Sequence, residues 1–258
     1  MMTPTTGPGK IYALLGITLE SRLQAASGWS LVPADGLLAV LAEYDADRFV
    51  GETAERNLAD PRKVAALALA HAQQVDKLFH QTVVLPVALG SLFSTPTPVE
   101  QLLRRNRDAI VQFLRRVAAH QEWAVKAAVD AKSAKGRFIE RALASAQIDP
   151  RMPAGARYFR EQAIRRQAAG QFPAVLQHRC QQLRQPLSVW CADVLERPIL
   201  PRDDGRQSVV SWSLLVCDRF QGEISARIAA MESALVDAEI TLELSGPWPP
   251  WSFVPRLN

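Results

Sequence analysis

Histidines, cysteines, arginines and a tryptophan-rich tail are the side chains of this 258-residue sequence that could do chemistry. Imidazole titrates near neutrality and ligates transition metals, so His71, His80, His120 and His178 come first. They form neither H-x-x-x-H nor H-E-x-x-H, and no carboxylate stands beside them at ligand spacing. His71 falls on an apolar helical stripe, where a hydrogen-bonded core imidazole is the plain reading. Cys180, Cys191 and Cys217 are odd in number and never spaced C-x-x-C, which fits a reducing cytoplasm better than a disulfide framework or zinc site. There is no G-x-S-x-G elbow, no G-x-x-x-x-G-K-S/T loop and no dinucleotide fingerprint. Asp203-Asp204 sits in turn-forming sequence and reads as a solvated loop. No catalytic residue, cofactor or metal is expected. The enzymatic reading left open uses His71 or His80 in a cleft between two halves of the chain.

Arg157, Arg160, Arg165, Arg166, Arg179 and Arg184 could instead track phosphates. The net charge is only +4, from 30 basic and 26 acidic residues, too small to imply nucleic acid by itself. Glu161 and several glutamines interleave with the arginines. A sheet that reads RNA needs exposed aromatic and basic residues on its central strands, and "QSVVSWSLLVC" (207–217) offers one Trp, expected to face inward. A nucleic-acid-binding module on a ferredoxin-like scaffold is therefore the alternative reading.

The C-terminus, "SGPWPPWSFVPRLN", is the most unusual stretch. Pro247, Pro249, Pro250 and Pro255 lack an N–H and have fixed φ, while Trp248, Trp251 and Phe253 carry large apolar surfaces. Trp248, Pro249, Pro250, Trp251 and Phe253 either pack back as a clasp or present rings to a partner, and both can hold together. The stiffness of the prolines favours the clasp, because little chain entropy is lost on docking.

The elements that would position these residues can be read from periodicity and punctuation. "KIYALLGI" (10–17) reads as a buried strand and 28–44 as a hairpin turning at 33–36. Residues 45–60 read as a polar connection. Asp60 and Pro61 open a helix with Val64, Leu67, Ala68, His71, Val75, Leu78 and Phe79 on one face. "TVVLPVALG" (82–90) is a strand candidate, and Thr97 with Glu100 forms a capping box before a second helix. Its stripe is Val99, Leu102, Leu103, Ile110, Phe113, Leu114 and Val117. "EWAVKAAVD" (122–130) alternates as a strand, 131–152 is ambiguous, and 154–185 is helical with a kink or break at Gly170 and Pro173. Strands at 187–196 and 207–217, a helix capped by Asp218 and a strand at 239–245 complete the chain. The expected fold is α+β in two domains. Residues 1–120 form a mixed α+β unit, and 121–258 form a modified ferredoxin-like βαββαβ sandwich with the Pro/Trp-rich tail. No apolar run reaches the roughly 18 residues a membrane helix needs, and the leader "MMTPTTGPGK" does not read as a secretion signal.

"GPWPPWSF" (246–253) resembles the GPWPPYSF ending of the gas vesicle protein F/L family (GvpF/GvpL), with Trp251 in place of the tyrosine. "KIYALLGI", "VLPVALGSLF" (84–93), "EWAVKAAVD" and "PAGARYFREQ" (153–162) are similar to further family segments in the same order. Ala88 and Leu89 stand where the family usually has arginine and phenylalanine. The resemblance spans residues 10 to 253. It implies a non-catalytic, chaperone-like accessory protein that binds the hydrophobic shell protein GvpA and other accessory proteins. It also implies a cytoplasmic protein and minor vesicle component, with the gas-facing wall as one location, and neither nucleic-acid nor membrane partners.

Overall fold

The computed structural model describes residues 9–20, 23–24, 26–46, 49, 51–235 and 239–258. The leader expected at the start lies mostly outside them. By contact the chain divides into two units, residues 1–122 with 247–258, and residues 123–246. The division expected at 120/121 counts the tail with the second half. The contacts instead group Pro247–Asn258 with the first.

In the first unit, β1 (Lys10–Leu19) is central, and its residues Ala13–Leu15 and Ile17 are almost wholly buried. It pairs antiparallel with β3 (Leu37–Asp45), which pairs in turn with β2 (Trp29–Ala34). The β2–β3 turn is Asp35-Gly36, both at positive φ (51° and 79°), as a two-residue hairpin requires. The turn is tighter than the 33–36 expectation, since Pro33 and Ala34 belong to β2, an edge strand where proline loses no ladder bond. On the other side of β1 lie β4 (Leu85–Pro86) and β5 (Leu92–Phe93), two residues each. The strand expected over 82–90 is thus reduced to a bridge. Pro86 cannot donate, and the chain leaves the sheet at once.

Helix α1 (Glu52–Leu58) lies in the stretch read as a polar connection, being too short and polar to show periodicity. Helix α2 (Pro61–Phe79) begins as expected, with the Asp60 carboxylate accepting from the Arg62 N–H at 2.9 Å. His71, Val75 and Leu78 form its buried face, whereas Ala68, expected on that face, is exposed. Helix α3 (Thr97–Val117) buries the expected stripe, with Leu102 half-buried and Asn106 added. Its capping box is absent. Pro96 is the N-cap, the Glu100 N–H bonds the Pro96 carbonyl, and the Glu100 carboxylate pairs with Arg104. The start is shifted one residue because Pro96 already has helical dihedrals.

The second unit is built on β6 (His120–Val129), β7 (Cys191–Glu196), β8 (Gln207–Cys217) and β9 (Ile240–Trp248), in the order β7-β8-β6-β9. Between β6 and β7 the chain forms α4 (Ala131–Ser145) and α5 (Ala154–Gln182). Helix α4 resolves the ambiguous stretch. Asp130 caps it, accepting from the Lys132 and Ser133 N–H groups. Helix α5 runs through Pro173 without a break. Residues 186–189 are a 3-10 turn, so β7 starts four residues later than expected. Asp218 opens a 3-10 turn rather than capping α6 (Ile224–Ser233). Trp212, Leu214, Val216, Ile224, Ile228 and Trp190 form the core of this unit. Trp212 faces inward, as the sequence predicts.

Candidate functional site

Beyond β9 the tail turns back onto the first unit. Pro249 and Pro250 are buried, and a 3-10 turn over Trp251–Phe253 follows, closed by the Phe253 N–H on the Pro250 carbonyl at 3.3 Å. Phe253 is buried, with the Arg116 guanidinium 6.0 Å from its ring centroid. Trp251 packs against the cluster formed by Leu15, Val40, Val75, Leu78 and Val84. Prolines restrict the free tail, so ordering this stretch costs less than ordering ordinary chain.

Two polar latches hold the apolar contacts in register. The buried Glu122 carboxylate accepts from the Ser252 N–H at 2.8 Å and from its hydroxyl at 2.6 Å. Both are charge-assisted, about twice as strong as neutral hydrogen bonds. Asn106, buried on α3, donates to the Asn258 carbonyl at 3.0 Å and accepts from the Asn258 N–H at 2.8 Å. Its amide also donates to the Leu102 carbonyl at 2.9 Å. Trp248 is the exception among the tail rings, with 46% of its surface exposed.

Of the five tail residues singled out from the sequence, four are buried or half-buried, and Trp248 is the most exposed at 46%. The sequence reading missed Asn106, Glu122, Ser252 and Asn258. A signal existed for Asn106, a polar residue at i+3 from Leu103 and i−4 from Ile110 on an apolar stripe. For Glu122, the partner lies 130 residues away and nothing local points to it.

A family model for gas vesicle synthesis protein GvpL/GvpF matches residues 11–255. The chain belongs to that family. A search of curated proteins found no significant match. Among solved structures it is similar to gas vesicle protein GvpF from Anabaena sp. PCC7120, at 16% identity and a TM-score of 0.64, covering 97% of this chain and 98% of that one. It is also similar to GvpF from Microcystis aeruginosa, at 14% identity and a TM-score of 0.64, covering 95% and 99%. At these identities the likeness is one of fold. That fold is mixed α+β with two antiparallel sheets.

The other candidate residues of this GvpL/GvpF chain have structural places. His71 is buried, its Nε2 2.7 Å from the Val87 carbonyl, and so ties α2 to the segment after β4. His80 is exposed beside Asp76 at the end of α2. His178 lies exposed on α5. Among the described residues no three of His, Cys, Asp and Glu gather as a metal would require. None of the described helices is long and apolar enough to cross a membrane. Burial raises the Cys180 thiol pKa and pushes that of Cys191 up to about 12, which keeps both thiols protonated and weakly nucleophilic.

Asp204 is not the idle loop residue it resembles in the sequence. Arg202 donates to it and to Glu243 on β9, and the Arg206 N–H donates to it as well, pinning the 197–206 connection across the end of the sheet. Hydrogen bonding to Arg202 lowers the Asp204 pKa to about 2 and lowers that of Glu243 too. The unfolded value is about 3.9. The folded pKa is the lower one, so this contribution is complete above about pH 4 and is lost as pH falls towards about 2. Carboxyl titration by NMR is expected to place the Asp204 midpoint near that lower value, and Arg202→Gln should raise it.

Proposed function

We propose that this chain is a non-catalytic accessory protein, and a minor structural component, of gas vesicle formation. In this reading it binds the hydrophobic shell protein GvpA together with other accessory proteins, and holds the shell protein back from aggregation while shells nucleate and assemble. The observation that carries the reading is the family match over residues 11–255. A subunit that exposes a wide apolar surface before assembly self-associates, because burying that surface yields roughly 25 cal/mol per Å². A partner that covers part of it lowers the aggregating population by mass action. Such a partner needs a surface and no reacting groups. Its place is the cytoplasm and the gas-facing wall of the vesicle.

Within this reading Trp248, Pro249, Pro250, Trp251 and Phe253 divide the work. The last four clasp the first unit, and the exposed ring of Trp248 is offered to a partner. We also infer that the second unit is a modified ferredoxin-like βαββαβ domain. The order β7-β8-β6-β9 supports this, being the 4-1-3-2 order of that arrangement read from the other edge, with α4 and α5 in place of a single first helix.

Light scattering of shell protein diluted from denaturant tests the proposal. The chain is expected to slow the rise in scattering. Trp248→Ala is expected to weaken that effect with a smaller fall in melting temperature than Phe253→Ala causes. Identical scattering with and without the chain, together with failure of the two proteins to co-purify, would overturn it.

A further inference from the structure

Helix α5 is packed closely along little of its length. Of its 29 residues only Ala168 is fully buried. Further along, Phe172, Leu176 and Cys180 recur at every fourth position on one face, and all three are only partly buried against the core of the second unit. That face borders two adjoining cavities of about 470 Å³ and 410 Å³. Phe172 and Leu176 line the larger, Gln181 lines the smaller, and Gln177 and Cys180 line both. Val209 on β8 and Ile199 face both cavities from the other side. Together they make one groove between α5 and the start of β8. Protein interiors leave few voids larger than a water molecule, so a groove of this size is surface left for another molecule.

The segment that carries Ile199 is stiff. It reads Pro198-Ile199-Leu200-Pro201, with Ile199 and Leu200 54% and 68% exposed. Each proline fixes its own φ and holds the residue before it in extended backbone. Just beyond, the Arg202 fork to Asp204 and Glu243 anchors the connection. Two apolar side chains are thus kept in solvent on an anchored segment, which points to contact with a partner. The groove is also charged in one sense. Among the described residues its only carboxylate is Glu196, which Arg184 neutralises at 2.7 Å. Lys135 lines the larger cavity and Arg197 the smaller, and neither has an acidic partner among the described residues.

We propose that this groove binds an extended, apolar segment of a partner protein with a carboxylate towards each end. Its apolar side chains lie on Phe172, Leu176, Ile199 and Val209, and its carboxylates meet Lys135 at one end and Arg197 at the other. The step from Phe172 to Gln181 along α5 is about 14 Å, which an extended chain covers in about four or five residues. The side-chain amides of Gln177, Gln181 and Gln207, which line the groove, can both donate to and accept from its backbone. Charge complementarity with two unpaired cations selects an anionic occupant. A fatty acid carries one carboxylate and suits an enclosed pocket, whereas the exposed Gln177, Gln181 and Ile199 leave this groove open along its length. Single-stranded nucleic acid needs ring faces for its bases, but Phe172 is turned towards Phe138 at 5.9 Å and Trp212 is buried. A polypeptide that runs on past both ends meets these conditions.

Fluorescence anisotropy with the full-length chain tests this, using a labelled peptide in which a short leucine–valine run lies between glutamates. The same run between lysines and a fluorescent fatty acid serve as separate probes. The glutamate peptide is expected to bind, and to bind more weakly as salt is added. Ile199→Gln should weaken it by about tenfold, through the loss of one buried aliphatic contact. Lys135→Glu with Arg197→Glu should weaken it by about tenfold or more, and this variant should bind the lysine peptide better than the parent does. All three positions are exposed, and unchanged circular dichroism and melting temperature would show that folding is intact. Absent binding of the glutamate peptide, equal binding by parent and both variants, or binding of the fatty acid in place of the peptide would overturn the proposal. None of these probes contains shell protein, so a failure here is separate from a failure of the shell-binding reading.

Discussion

Phe253→Ala is expected to lower the unfolding free energy by about 3–5 kcal/mol, the usual cost of emptying a buried phenylalanine site. The ring is 7% exposed and lies beside Arg116, with Pro250 and Trp251 fixing the turn that delivers it. The loss would not stop at the missing ring. A tail held less firmly strains the bonds from Ser252 to Glu122, and a buried carboxylate that loses its donors is costly in its own right. Chemical denaturation measures the effect directly, with Trp248→Ala as the contrasting variant, since that residue is nearly half exposed and its removal should cost less. A loss under about 1 kcal/mol for Phe253→Ala would show that the tail does not clasp the unit. The experiment also separates the two roles assigned to neighbouring rings. Phe253 should set stability, and Trp248 should set partner binding.

That division was only half legible in the sequence. Proline spacing and ring content announced that 247–253 must dock or be covered, and the type of each residue was enough to say so. The docking site was not legible, because Glu122 and Asn106 reach Ser252 and Asn258 across 130 and 152 residues. A hydrogen bond of that reach leaves no periodic trace. Local rules did well where local energies decide. Asp60 and Pro61 begin α2, and Asp35-Gly36 turns β2 into β3. They failed where a neighbour decides. Thr97 and Glu100 have the spacing of a capping box, yet Pro96 takes the cap. Helix α4 shows no clean apolar stripe, since Ala134 is the only residue in it that is fully buried. Asp204 looks like loop chemistry until Arg202 joins it to Glu243, 39 residues on, and that pairing is visible only once β9 is in place.

Gly16→Ala should also destabilise the chain, for a reason opposite to the loss of Phe253. Alanine in a strand normally gains about 0.5–1 kcal/mol over glycine, because the unfolded chain has fewer conformations to lose. Here a Cβ would stand 2.6 Å from Val84 Cγ2, 3.0 Å from the Leu85 carbonyl oxygen and 3.1 Å from Leu78 Cδ2. Leu78 can rotate away. Val84 is buried and β-branched, with little freedom to turn, and the Leu85 oxygen is backbone in the β1–β4 pairing. Overpacking of this kind costs about 1–3 kcal/mol, so sterics win and the net loss should be about 1 kcal/mol. The double variant Gly16→Ala with Val84→Ala separates the two contacts. Removing the valine methyls relieves the closest one and leaves the carbonyl in place, so recovery should be partial once the cost of Val84→Ala alone is subtracted. Complete recovery would mean that the backbone contact carries no strain, and an unchanged Gly16→Ala stability would mean that β4 yields freely. Tight apposition at this glycine is what keeps the two-residue strand β4 on the sheet. From there the chain continues to Val87, where the buried His71 meets it, so a displaced β4 should also loosen α2 and the cluster that receives Trp251.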